Sequence, residues 1–241
     1  MKIYIVKSYE ELSKKSANIV ASQVILKPNS VLGLATGSTP EGLYKELIKL
    51  YNKEVVDFKD VNTFNLDEYY GIHRHNPQSY YYYMRNNLLD HINIEKNNIN
   101  IPHGLAEDVE AHCMEYEESI KKLGGIDLQI LGIGRNGHVG FNEPGDDFKA
   151  KTHLVELQEE TIKDNSRFFE KPEEVPTKAI SMGIKTIMSA RKILLIANGE
   201  GKAKAIYDTI KGPITPKVPA SILQLHKDVT VIIDEAAGKL L

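Results

Sequence analysis

A doubly wound α/β fold, with one mostly parallel sheet and helices on both faces, is predicted by three features of the 241-residue chain. Short β-rich runs alternate with helix-periodic segments from end to end. Val31-Leu-Gly-Leu-Ala35 reads as a buried strand that passes through a glycine turn straight into a helix. Neither a low-complexity linker nor an internal repeat divides the chain, so residues 1–241 are expected to form a single domain, a size common for open-sheet folds.

The elements follow in order. Lys2–Val6 is the first strand, and a helix over about 8–24 places Leu12, Ile19, Val20 and Val24 on one face. After the strand at 31–35, Thr36-Gly-Ser-Thr-Pro40 is a turn. Leu43, Tyr44, Leu47, Ile48 and Tyr51 then fall at helical spacing, with Thr39 as N-cap and Pro40 at the first helical position. Val61–Leu66 is a strand that ends in the loop Asp67-Glu68-Tyr69-Tyr70. Helices are expected over 79–89 and 106–123, and a strand over 126–133, bounded by Gly124-Gly125 and Gly134. Residues 152–157 alternate like a strand. The charged segment from Gln158 to Lys178, with Pro172 and Pro176 and no strong period, reads as a mobile lid. Lys192–Ala197 and Val229–Asp234 are the last clear strands, with a helix after Gly201 between them.

Composition narrows the function. Thirty basic and 33 acidic side chains leave a net charge of -3, which provides no overall basic field for nucleic acid or an anionic membrane. No stretch approaches the ~20 apolar residues of a spanning helix. The lone cysteine, Cys113, forms no internal disulfide, and the N-terminus is unlike a signal peptide, so a cytoplasmic location is expected.

Open parallel sheets bind small ligands beyond the carboxyl ends of their strands. Four loops qualify: 36–40, 67–70, 134–143 and 198–202. The first offers Gly37, Ser38 and Thr39 at a helix N-terminus, which suits either an anion or a plain capped turn. Asp67-Glu68 is either a proton-moving carboxylate pair or a turn. Gly132-Ile-Gly-Arg-Asn-Gly137 matches a dinucleotide fingerprint, but Gly140 and Pro144 disfavour the helix that would receive a pyrophosphate, so no nicotinamide cofactor is expected. The same loop gathers Asn136, His138, Asn142 and Glu143, an acid-base cluster in which a carboxylate can orient an imidazole.

Cys113 and the run Tyr80–Tyr83 read mainly as packing. His73 and His75 are too isolated to argue for a metal. Arg167 and Lys202 suit a phosphate, or are ordinary surface charges.

Six ordered motifs then connect the chain to a known family: Leu34-Ala-Thr-Gly-Ser-Thr-Pro40, Phe64-Asn-Leu-Asp-Glu-Tyr69, Gly134-Arg-Asn-Gly-His138, Gly140-Phe-Asn-Glu-Pro144, Asn165-Ser-Arg-Phe-Phe169 and Leu223-Gln-Leu-His226. Together they closely resemble the glucosamine-6-phosphate deaminases. The resemblance implies a sugar-phosphate isomerase and CoA-transferase type of fold. It also implies an enzyme that isomerises and hydrolytically deaminates glucosamine 6-phosphate to fructose 6-phosphate and ammonium, in amino-sugar catabolism, with neither cofactor nor metal. By the same resemblance Asp67 is the base that moves a proton between C2 and C1, His138 the ring-opening acid-base, and Glu143 its partner. Gly37, Ser38, Thr39, Arg167 and Lys202 hold the phosphate.

Two departures stand out. Asn136 occupies a position where well-known members carry Asp, so Asn136 and Glu143 are expected to share the support of ring opening, with Glu143 carrying the charge. His153 and Val155 stand where allosteric hexameric members place an Arg and a Lys for their effector, and the chain ends short of their extended C-terminus. An unregulated enzyme is therefore expected, with monomer and homo-oligomer both open. The competing readings are a 6-phosphogluconolactonase-like hydrolase and a non-catalytic sugar-phosphate sensor.

Overall fold

The computed structural model describes residues 1–166, 169 and 174–241. Its centre is a seven-stranded, wholly parallel sheet. The strands are β1 (Lys2–Val6), β2 (Val31–Leu34), β3 (Asn62–Asn65), β5 (Ile99–Asn100), β6 (Leu128–Leu131), β9 (Lys192–Ala197) and β10 (Val229–Asp234). They lie in the order β1-β10-β9-β6-β2-β3-β5. From β2 the chain winds outward through β3 to β5, then returns to β6 and winds the other way through β9 to β10. The reversal between neighbours β2 and β6 opens a crevice beyond their carboxyl ends, the general ligand position of this fold class. Every residue of β2 and β6 is buried, which requires cover on both faces.

A three-stranded antiparallel sheet, absent from the sequence-based expectation, accompanies the main one. It pairs β4 (Asp67–Tyr70) with β8 (Lys178–Ser181), and β8 with β7 (His153–Glu156). The stretch 67–70 is therefore a strand and not a loop. Its short acidic sequence gives no apolar alternation, and pairing with the equally short β8 supplies the order.

Helix α1 (Tyr9–Leu26) starts where the Ser8 hydroxyl accepts the Glu11 N-H, and it buries Leu12, Ala17, Val20 and Val24. It packs on α2 (Ser38–Asn52), whose buried face carries Leu43, Tyr44 and Leu47. The N-cap of α2 is Gly37 and not Thr39: φ of 101° at this residue turns the chain out of β2 two residues earlier than Pro40 suggests. Helix α3 (Tyr80–Asn87) is shorter than expected because Leu88 leaves helical geometry. Helix α4 (Val109–Lys122) begins at the cap Asp108, three residues later than the apolar pattern suggests.

Within the segment 158–178, residues 159–166 form helix α5 (Glu159–Ser166), where no element was expected. Helices α6 (Ile184–Met188) and α7 (Ala203–Lys211) complete the fold.

Candidate active site

A cavity of about 550 Å³ lies at the reversal point, and all four loops singled out in the sequence line it, through Thr36–Pro40, Asp67, Gly134–His138 and Asn198–Lys202. Its wall divides into an acid-base half and an anion half.

The acid-base half begins with Asp67, 6% exposed at the start of β4. Among the described residues no hydrogen bond or ion pair reaches its carboxylate. Burial pushes its carboxyl up to about 8, and the neighbouring Glu68 adds to the rise. Glu68 has another task. Its Oε1 accepts the N-H groups of Tyr69 and Tyr80, at 2.9 and 2.8 Å, and Oε2 accepts that of Tyr81 at 2.9 Å. It thereby satisfies otherwise orphaned donors at the N-terminus of α3. Burial outweighs these donors and leaves its own carboxyl raised to about 7.

Across from Asp67, the loop after β6 is held open by glycine. Gly140 has a φ of 58°, and a Cβ there would lie 3.5 Å from Asp67 Oδ2 and 3.0 Å from Ser181 Oγ. The positive φ and the tight approach to Ser181, and not the ordinary contact with Asp67, are what favour glycine here. His138 Nδ1 stands 3.3 Å from Glu143 Oε2, close enough for an ion pair though not aligned as a hydrogen bond. Such contacts tighten when substrate binds.

Asn136, expected to share with Glu143 the support of ring opening, binds that carboxylate. Its Nδ2 donates to Glu143 Oε2 at 2.9 Å, while Oδ1 accepts the His138 N-H. The Thr161 hydroxyl donates to Glu143 Oε1 at 2.5 Å. Burial raises the Glu143 carboxyl, but His138, Thr161 and Asn136 together bring it below the ordinary value. The loop receives no helix, in keeping with the rejection of a dinucleotide site.

The anion half is formed by the α2 N-terminus, with Gly37, Ser38 and Thr39, and by the turn Glu200–Lys202 that leads into α7. The two are tied together, because Thr39 Oγ1 donates to Asn198 Oδ1 at 2.6 Å. Lys202 and Arg135 both line this end, and Arg135 lies against Gly201. Free N-H groups and two cations suit a phosphate. Arg167 falls outside the described residues.

Several contributors were not legible as site residues. Tyr80 stacks on Phe141 at 6.0 Å with 12° between rings, and Tyr83 donates to Gly37 O at 2.7 Å, so two members of the tyrosine run line the cleft. Tyr69 closes the same aromatic wall, 4.7 Å from Tyr80. Arg135 carried a signal, a cation in a glycine loop after a strand. Thr161 carried none. Cys113 is buried in α4, its thiol pushed up to about 11, which fits packing. Among the described residues no group of three or more metal-ligating side chains is found.

The arrangement can hold a dianion at one end and present two proton-transfer stations, Asp67 and the His138–Glu143 pair, to a polar molecule some carbons away. A family model described as glucosamine-6-phosphate isomerases/6-phosphogluconolactonase matches residues 7–232. A glucosamine-6-phosphate deaminase of Clostridium botulinum is 64% identical over 241 residues, covering 100% of this chain and 99% of the relative. A solved structure of a monomeric glucosamine-6-phosphate deaminase is 48% identical, with a TM-score of 0.98 over 100% of both chains. A 6-phosphogluconolactonase from Trypanosoma cruzi, at 22% identity, a TM-score of 0.77 and coverage of 100% and 96%, shares the fold.

Proposed function

The chain belongs to the family of glucosamine-6-phosphate isomerases and 6-phosphogluconolactonases, and from that premise we infer that it converts glucosamine 6-phosphate and water to fructose 6-phosphate and ammonium. One observation supports the reading beyond similarity: Asp67 and His138, the latter backed by Glu143, line one cavity together with the α2 N-terminus and Lys202, a setting that suits an anion.

The phosphate is held by the Gly37–Thr39 backbone and hydroxyls and by Lys202, with Arg167 in the role its motif implies. Thr39 exchanges its bond to Asn198 for the ligand or shares it. His138 donates a proton to the ring oxygen and takes one from the C1 hydroxyl, which opens the ring to the aldehyde. Glu143 stabilises the imidazolium form. Ionised Asp67 then removes the C2 proton and returns it to C1, while an amine proton passes to O1, giving a ketimine. Water adds to C2 and the C–N bond breaks, releasing the nitrogen as ammonium. The sequence is redox-neutral, and the imine forms within the substrate, so the steps as written call on no cofactor. Asp67 is poised for its part, because a carboxyl raised to about 8 by burial is a far stronger base than one in water.

No helix among the described residues is long and apolar enough to cross a membrane. We place the enzyme in the cytoplasm and without effector control, and take it to be a monomer, the state named for the 48% identical relative. In support of the absence of effector control, His153 Nδ1 contacts Lys151 O, an arrangement without an anion-binding fork.

The test is release of ammonium and fructose 6-phosphate from glucosamine 6-phosphate with a chelator present, beside 6-phosphogluconolactone as control. Equal release of both products is expected. Lactone hydrolysis alone would move the chain to the lactonase branch, and binding without product would leave a sensor.

A further inference from the structure

Glu143 is held by more than its own loop. Its Oε2 takes the Asn136 amide and faces His138, both from residues 134–143, whereas Oε1 is held by Thr161 from the first turn of α5, eighteen residues on. Thr161 is 4% exposed in a helix whose neighbours Glu159, Glu160 and Lys163 are exposed. A helical threonine commonly bonds a carbonyl of its own preceding turn. Here the hydroxyl reaches across to a carboxylate instead. A second bond reinforces the attachment: Gln158 Nε2 donates to Pro144 O at 2.9 Å. The start of α5 is thus stitched to residues 143 and 144 at two points.

A carboxylate with donors on one oxygen only turns about its terminal bond, a broad torsion with weak barriers. Donors on both oxygens remove that freedom. We infer that Thr161 is a positioning residue of the ring-opening relay: its hydroxyl fixes the rotation of the Glu143 carboxylate so that Oε2 stays on the Nδ1 side of His138. The inference rests on the assignment of His138 and Glu143 to ring opening. The relay is therefore assembled from two separate stretches of chain, and the placement of α5 is felt at the imidazole. His138 is the titratable group that acts on Glu143, while Thr161 and Asn136 are neutral donors.

The experiment compares wild type with Thr161→Val, of nearly the same shape but without the donor, and Thr161→Ser, which keeps it. Ammonium release, the pH dependence of kcat/KM and Tm are measured for each. Loss of a hydrogen bond to a charged group is expected to lower kcat in Thr161→Val by about tenfold or more. KM should stay within about twofold, since the hydroxyl bonds Glu143 and not the groups assigned to the phosphate. The lower of two acid limbs of kcat/KM, the one that lies below the Asp67 limb, should move to higher pH, because the Glu143 carboxylate loses a donor that favours its ionised form. Thr161→Ser should restore both. Wild-type kcat and an unmoved limb in Thr161→Val would overturn the assignment. So would equal losses in both variants with a matching fall in Tm, the mark of a merely structural hydroxyl. If wild type itself releases no ammonium, the functional reading fails first, visibly before any variant is compared, and the assignment falls with it.

Discussion

Asp67 and Glu68 are consecutive residues of one short strand and carry their carboxylates to opposite sides of it. Asp67 lines the large cleft, while Glu68 seats the N-terminus of α3 and borders a smaller cavity behind. Strand alternation makes this division automatic: once β4 pairs with β8, one acid faces the cleft and the other faces α3. The cleft-facing acid has no protein partner among the described residues, so its proton affinity is set by burial and by the charge next door.

Asp67→Asn is expected to lower kcat by about 10²- to 10⁴-fold, the usual worth of a positioned proton-transfer group. It is also expected to stabilise the fold in a pH-dependent way. Below the ordinary value of 3.8, Asp67 holds its proton whether folded or not, and no cost arises. Between 3.8 and about 8 the unfolded chain ionises while the folded protein keeps the proton, so wild-type stability is lost as pH rises through that window. Asparagine is free of this penalty. Thermal melts at pH 5 and pH 9 check the point: the advantage in Tm of Asp67→Asn should grow toward pH 9, and a constant difference would contradict it.

Glu68→Gln should act on Asp67 through charge and on α3 through hydrogen bonds. Removing the anion next door lowers the Asp67 carboxyl, so the acid limb of kcat/KM should move to lower pH. An amide cannot accept N-H groups at both ends, so one donor among Tyr69, Tyr80 and Tyr81 is left without a partner, costing about 1–3 kcal/mol. Titration of kcat/KM and a denaturant melt measure the two effects independently.

These predictions depend on packing that the sequence displays only in part. Strands β1, β9 and β10 were legible to the residue because each is a continuous apolar or alternating run. So was the place of the site, since the ligand position of an open sheet follows from its strand ends. Strands β4 and β8 were not, because four-residue strands of the composition Asp-Glu-Tyr-Tyr and Lys-Ala-Ile-Ser carry little period and are ordered by each other. Motif reading brought out Asp67, His138 and Glu143. It passed over Thr161, Tyr80 and Tyr83, whose contributions exist only after α3 and α5 dock on the cleft. Asn136 was placed in this cluster by its sequence position, but its bond to Glu143 was not legible, since whether an amide meets the ring or its carboxylate depends on the course of the loop.

Lys202→Ala should separate binding from chemistry. The side chain lines the cavity together with Ser38 and Thr39. Loss of a charge-assisted contact to phosphate is expected to raise KM by about 10- to 100-fold with kcat changed little. Lys202→Arg, which keeps the charge with a different fork, should recover part of the affinity. Initial rates over a substrate series decide this; a fall in kcat at unchanged KM would remove Lys202 from phosphate binding.

Gly134 offers a test of how tightly the imidazole is placed. Its φ is not among the positive values found in the chain, so backbone freedom is not what glycine provides here. It provides space: a Cβ at 134 would lie 2.4 Å from His138 Cε1 and Nδ1, inside any permissible contact. Gly134 N also donates to His138 O at 2.9 Å, which closes the loop on itself and leaves the backbone little room to retreat. Gly134→Ala must therefore push the ring, and a displacement near 1 Å at a reacting group costs about 10²-fold in rate. We expect kcat to fall by that order, because the added carbon meets the His138 ring. Gly145→Ala is the matched control, since its added carbon would meet only atoms at 3.8 and 3.9 Å. Equal activity in the two variants would mean that the ring is not held where ring opening needs it.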